Sequence, residues 1–164
     1  VQRVLPDRLV IEVSERLPIA RLGPRTLPYT FDVDREGFLL GRSSASSGQL
    51  PRLVGIDPHV ARKDGRIATP MAQHALRVLD LCDRIPGLAR LVQIDSVGVG
   101  HSDYLQMSLR TGEFVLFSPK ESRQRLIQLA GILEDAADRG EPYARIDLTV
   151  DKNPSAVPAT ESGE

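Results

Sequence analysis

The sequence predicts an α+β domain, an antiparallel-rich mixed β-sheet with two main helices packed on it. Three observations point there. Short β-branched segments, partly alternating in polarity, recur along the chain with turn residues between them. Two segments carry a helical apolar stripe behind a proline in the first turn. Hydrophobic residues make up 41% of the chain and charged residues 26%, which is enough apolar surface to bury a core and excludes a fully disordered chain. A length of 164 residues suits one ordinary domain, or one domain with a fragment of a second.

In chain order, Pro6-Asp7 is a turn ahead of a strand over residues 8–13 (Arg-Leu-Val-Ile-Glu-Val). Residues 17–22 and 29–34 read as strands. Asp34-Arg-Glu-Gly37 is a turn with Gly37 suited to a positive φ, and Phe38-Leu39-Leu40 returns as the other arm of a hairpin. The serine-rich stretch 42–49 is an exposed loop, and 50–55 closes the first half. Thr69 caps a helix with Pro70 at its first position; Met71, Ala75, Val78, Leu79 and Cys82 form its stripe, and Pro86-Gly87 ends it. Strands are expected at 90–94, 104–110 and 113–117, the last two joined at Thr111-Gly112. A second helix starts at Ser118, with Pro119 first and Glu121 completing a capping box. Its apolar face is Leu126, Ile127, Leu129, Ala130, Leu133 and Ala137, and Gly140 stops it. Ala144–Val150 is the last expected strand, with Ile146, Leu148 and Val150 inward, and 151–164 is expected to fray.

Charge and chemistry narrow the function. Lys+Arg is 21 and Asp+Glu 22, for a net charge of -1, and aromatics are 4% with no Trp, which disfavours a nucleic-acid or lipid-binding surface. No apolar run is long enough to span a membrane. The chain opens without Met in a strand-like stretch, so it is expected to be part of a longer protein whose other part includes a membrane anchor. The single Cys82, among Leu79, Leu81 and Ile85, reads as a buried structural thiol. His59, His74 and His101 are too far apart for a local ligand pair. His101-Ser102-Asp103 holds the residue types of a hydrolase triad, but neighbours in sequence rarely converge as one. Gly98-Val-Gly100 lacks the third glycine and the helix of a dinucleotide fingerprint. Asp32, Asp34 and Glu36 fail the spacing of a calcium loop and read as a solvated turn. Arg62, Lys63 and Arg66 read as a solvent-facing loop. No catalytic, cofactor-binding or metal site is expected, which favours a binding module.

The order of several weak motifs says more. Arg3-Val-Leu-Pro-Asp7, Leu9-Val-Ile-Glu-Val13 and Glu15-Arg-Leu-Pro-Ile-Ala-Arg21 are followed by Val33-Asp34-x-x-Gly37 and Leu50-Pro-x-Leu-x-Gly55. Then come Leu105-x-Met-x-Leu109-x-x-Gly112-x-x-Val115 and Arg145-Ile-Asp-Leu-Thr-Val150. The series resembles the periplasmic part of the bacterial cell-division family FtsQ/DivIB, to about residue 157.

The resemblance implies residues 1–16 as a remnant of a POTRA domain, 17–157 as the β domain and 158–164 as a flexible tail. It implies a non-enzymatic divisome scaffold of the inner membrane, facing the periplasm and anchored by one transmembrane helix outside this chain. FtsB- and FtsL-like partners bind by strand addition, which bears on septal peptidoglycan synthesis. The matching partner-binding residues are Arg145, Asp147, Thr149, Val150, Asp151, Ser155 and Val157. Residues 145–150 are accordingly expected at or near a sheet edge, with open backbone groups suited to β-augmentation. The chain departs from the family pattern at Val150, where the family often has an aromatic, and at Lys152-Asn-Pro154, where it has a short Ser/Gly turn; Pro154 and Pro158 each lack a backbone donor, so pairing is expected to be interrupted beyond Val150. Two alternatives stay open: a module of another envelope assembly, such as a POTRA-bearing transport or secretion component, and a small hydrolase using His101.

Overall fold

A computed structural model describes residues 2–4, 8–23, 30–44, 48–150 and 154–159. Near the N-terminus β1 (Gln2–Val4) and β2 (Arg8–Val10) form a separate two-stranded antiparallel ribbon. An extended, exposed segment, 11–17, leads to β3 (Pro18–Leu22). There follow β4 (Phe31–Asp34), β5 (Leu39–Arg42), β6 (Arg52–Val54), α1 (Pro58–Asp64), α2 (Pro70–Arg84), α3 (Leu88–Leu91) and β7 (Ile94–Gly98). The remainder is β8 (Leu105–Leu109), β9 (Phe114–Phe117), α4 (Ser122–Arg139), β10 (Tyr143–Leu148) and β11 (Ser155–Pro158).

Nine strands form one mixed sheet in the order β11-β10-β9-β8-β7-β6-β3-β4-β5. The β9–β10, β6–β7 and β3–β6 pairs are parallel and the other five antiparallel, the mixture expected of α+β. One register row carries the core. Phe31, Leu22, Leu53, Val97, Met107, Val115 and Ile146 stand side by side on seven successive strands, and all are buried. Each such side chain contributes about 1.5–3 kcal/mol on burial. Against the core lie Ala72, Ala75, Leu76, Val78, Leu79 and Cys82 of α2 and Leu126, Leu129 and Ala130 of α4.

Several expectations change. The first stripe keeps Ala75, Val78, Leu79 and Cys82, but Met71 is half-buried. On α4 the buried stripe is Arg125, Leu126, Leu129, Ala130 and Ala136; Leu133 is half-buried, Ala137 is exposed and Ile127 is 52% exposed, because it sits one step off the face that meets the sheet. The capping box does not form. Ser118 follows β9 and its Oγ accepts from Lys120 N–H (3.3 Å), while Glu121 adopts φ 52° and the helix begins at Ser122. The segment around Arg62, Lys63 and Arg66 is not a plain loop: Asp57 accepts from His59 N–H at 2.8 Å and starts α1, which ends at Gly65. Residues 88–91 are helical where the 90–94 strand was expected.

The carboxylate turn is likewise not solvated throughout. Asp34 is buried, accepting from Glu36 and Phe38 N–H at 2.9 and 2.8 Å and pairing with Arg16 at 2.5 Å. Arg16 also reaches Glu36 at 2.7 Å and lies 4.2 Å over the Phe38 ring. Gly37 has φ 89° as expected, and a Cβ there would stand 2.6 Å from the Ile67 carbonyl.

Candidate functional site: the C-terminal sheet edge

The strand that was expected at the edge is not the edge. β10 pairs with β9 on one side and β11 on the other, so Arg145–Leu148 has no open backbone row. The tail expected to fray instead supplies residues 155–158 as the outermost strand. The two prolines misled because an edge strand tolerates proline where the missing N–H would have pointed outward.

Backbone direction follows from two bonds. Ser118 N–H donates to Leu148 C=O, so Leu148 and Ile146 face β9 with their backbone groups. Arg145 and Asp147 then face β11, opposite Val157 and Ser155. Ala159 N–H donates to Pro142 C=O, in phase with that pattern. Ala156 therefore turns its N–H and C=O to the open edge, flanked by Pro154 and Pro158 on the same side.

Side chains sort by the same alternation. Ile146 and Leu148 enter the core, while Arg145 and Asp147 take the opposite face. Asp147 Oδ1 accepts from Thr149 N–H (2.9 Å) and Thr149 Oγ1–H (2.6 Å), folding the chain out of β10. Burial would push the Asp147 carboxyl up; the two Thr149 bonds and the charge of Arg145 outweigh it and hold the carboxyl below its ordinary range. Val150 and Val157 are 50% and 53% exposed, leaving two β-branched side chains in solvent near the edge. Of the expected partner-binding residues, Arg145, Asp147, Thr149, Val150, Ser155 and Val157 thus belong to one hairpin, and Asp151 lies outside the described residues.

Arg125 holds this hairpin from below and was not anticipated. It is buried on α4, and its Nη1 donates to the carbonyls of Leu148 (2.8 Å) and Val150 (3.0 Å). One charged side chain thereby anchors the exit of β10 to the helix layer.

The other chemical motifs stay apart. Ser102 Oγ–H donates to Asp103 at 2.8 Å, while His101 stacks on Tyr104 at 4.3 Å between centroids and meets Gln106 at 3.0 Å. Serine and histidine are not linked as nucleophile and base. Gly98 ends a strand, and β8 follows the 99–104 loop, so no helix N-terminus opens there. Burial, helped by the Asp83 charge, pushes the Cys82 thiol up to about 11, and its Sγ meets Val92 C=O at 3.4 Å. Among the described residues no group of three His, Cys, Asp or Glu is gathered that could hold a metal ion, and no helix is long and apolar enough to cross a membrane.

No family model matches the chain, and no curated protein matches it. Among solved structures, it is similar to the major extracytoplasmic domain of the trans isomer of the bacterial cell division protein DivIB from Geobacillus stearothermophilus. The two share 17% identity with a TM-score of 0.46, over 77% of this chain and 98% of that one.

Proposed function

We propose that the chain is the extracytoplasmic β domain of an FtsQ/DivIB-type division protein and works as a non-enzymatic scaffold. It lies in the periplasm, tethered by a transmembrane helix outside this chain. It takes up a strand from an FtsB-like partner, with FtsL alongside, and so bears on septal peptidoglycan synthesis. The motif order along the sequence supports the family reading. The observation that carries the mechanism is the side of β11, the last strand of a nine-stranded sheet, that no strand pairs with among the described residues, with Ala156 facing out. An added strand gains main-chain hydrogen bonds there, and Arg145, Asp147, Ser155, Val150 and Val157 supply the side-chain selection.

The test uses the whole chain and a synthetic periplasmic segment of the FtsB-like protein from the same genome. Ala156→Pro removes the one outward N–H and should weaken binding about five- to tenfold, the loss of one hydrogen bond, while Ala156→Ser should retain it and both keep the far-UV circular dichroism of the parent. Undiminished binding by the folded proline variant would defeat strand addition at β11. Proline at Thr149 is the wrong probe, because that N–H is already committed to Asp147.

A further inference from the structure

The sheet face away from the helices carries a second register row, polar at six of its seven positions and half-buried at six of them. Asp32, Arg21, Arg52, Ser96, Ser108, Phe114 and Arg145 stand side by side on seven successive strands. Arg21 and Arg52 are direct neighbours on the parallel strands β3 and β6, whose backbones run about 4.8 Å apart. Like charges in such positions repel. Arg110, from the β8–β9 turn, joins them. These three arginines line an open depression of about 570 Å³ together with Gly48, Leu50, Asp95 and Leu109. Three guanidinium charges against Asp95 in the lining and Asp32 beside Arg21 leave a local excess of +1 in a chain whose net charge is -1.

The guanidiniums are held in place. Arg21 Nη2 donates to the Gly48 carbonyl at 3.0 Å, and Arg110 Nη2 donates to the Gln49 carbonyl. Arg21 Nε is buried and has no hydrogen-bond acceptor among the described residues. That donor lies beneath the surface, so what the depression offers an anion is its excess of guanidinium charge.

We propose that this depression docks an acidic peptide segment of another protein. Carboxylates match the planar forks of paired arginines and form charge-assisted, bidentate bonds with them. The half-buried Leu50 beside the arginines suits a peptide, which carries apolar atoms next to its charges. Asp95 and the inward carbonyls of Gly48 and Gln49 oppose a dense polyphosphate. The site lies on the β3–β6–β7–β8 part of the sheet, three strands inward from β11 at its nearest, so both can be occupied together.

Amide NMR titration of the intact chain with acetylated hexaglutamate amide tests this, with hexaglutamine and inorganic phosphate run in parallel. Saturable shifts confined to residues 48–52, Asp95, Leu109 and Arg110 are expected with hexaglutamate, and none with hexaglutamine. Arg110 is exposed, so Arg110→Gln should fold normally and weaken binding about fivefold, the loss of one charge-assisted contact. Arg21→Gln should do the same where its circular dichroism matches the parent. The helix variants Arg84→Gln and Arg139→Gln should bind as the parent does. Absence of saturable shifts, equal loss in the helix variants, or phosphate binding as tight as hexaglutamate would each overturn the assignment.

Discussion

Replacing Arg125 by Met tests whether one buried cation holds the C-terminal hairpin to the body. The methionine keeps most of the stem volume and removes the donors. Two charge-assisted bonds are lost, at 2.8 and 3.0 Å, to the carbonyls of Leu148 and Val150. Each such bond is worth about 1.5–3 kcal/mol, so the gross loss is roughly 3–6 kcal/mol. Three effects reduce it. Leu148 C=O keeps Ser118 N–H at 3.4 Å, Val150 is half-exposed so water reaches its carbonyl, and the burial cost of a guanidinium disappears. A net destabilisation of about 2 kcal/mol remains, which lowers Tm by roughly 4–8 °C for a domain of this length. Urea unfolding gives the magnitude, and amide hydrogen exchange gives the place. Faster exchange at Arg145, Asp147, Val157 and Ala159, with β8 and α2 unchanged, is expected. Equal stability together with full protection of the hairpin would refute the anchoring role.

Three further outcomes follow from burial and titration. Leu129→Ala should cost about 2–5 kcal/mol in urea unfolding, whereas Ile127→Ser, on the exposed side of the same helix, should stay within about 0.5 kcal/mol. The Asp147 carboxyl is held below its ordinary range, so its contribution is complete above the ordinary aspartate value of 3.8 and vanishes as pH falls through the folded value. Asp147→Asn should therefore be less stable than the parent at neutral pH, and the difference should close in acid unfolding series. The Cys82 thiol is raised from 9.0 to about 11, so folding favours its neutral form fully below pH 9 and loses that contribution as pH rises towards 11. At pH 8 it should react with a thiol reagent only after denaturant is added.

What could be read from the sequence was local. Pro70 and the stripe behind it located α2, with Thr69 at the N-cap position but making no side-chain cap bond, and Gly37 and Gly112 located two turns, because a first-turn proline and a positive φ act over a few residues. Helix α1 carried its own signals, Asp57, Pro58 and Gly65, yet its seven residues are too few to display an apolar period. Arg125 was illegible for another reason. A charged residue on an apolar stripe looks like a phase error until the β10 carbonyls are placed over it, and that pairing spans 23 and 25 residues. Asp34 is similar: its burial depends on Arg16, 18 residues away. The residues expected at an open edge fall on one hairpin, but the outermost strand of that hairpin is β11, not β10. Which of two neighbouring strands is outermost is a question of sheet order, and no local pattern encodes it.

That order also changes what kind of partner the edge accepts. Under the proposed scaffold reading, the outward positions of β11 are Pro154, Ala156 and Pro158, of which only Ala156 has an N–H to give. The same three positions have three carbonyls. The edge is thus rich in acceptors and poor in donors. Two copies of the chain meeting edge to edge would each need donors that the other lacks, so self-addition gains few hydrogen bonds. A strand with a full set of N–H groups has no such handicap and can donate to every carbonyl that the prolines leave open. The prolines that made this segment look like a frayed tail are in this view its protection against self-pairing. Replacing both with alanine should raise the tendency of the chain to self-associate, seen as concentration-dependent sedimentation, because it restores two donors to the open row. A double variant that stays monomeric at the highest concentrations the parent tolerates would show that the edge is guarded by something other than its missing donors.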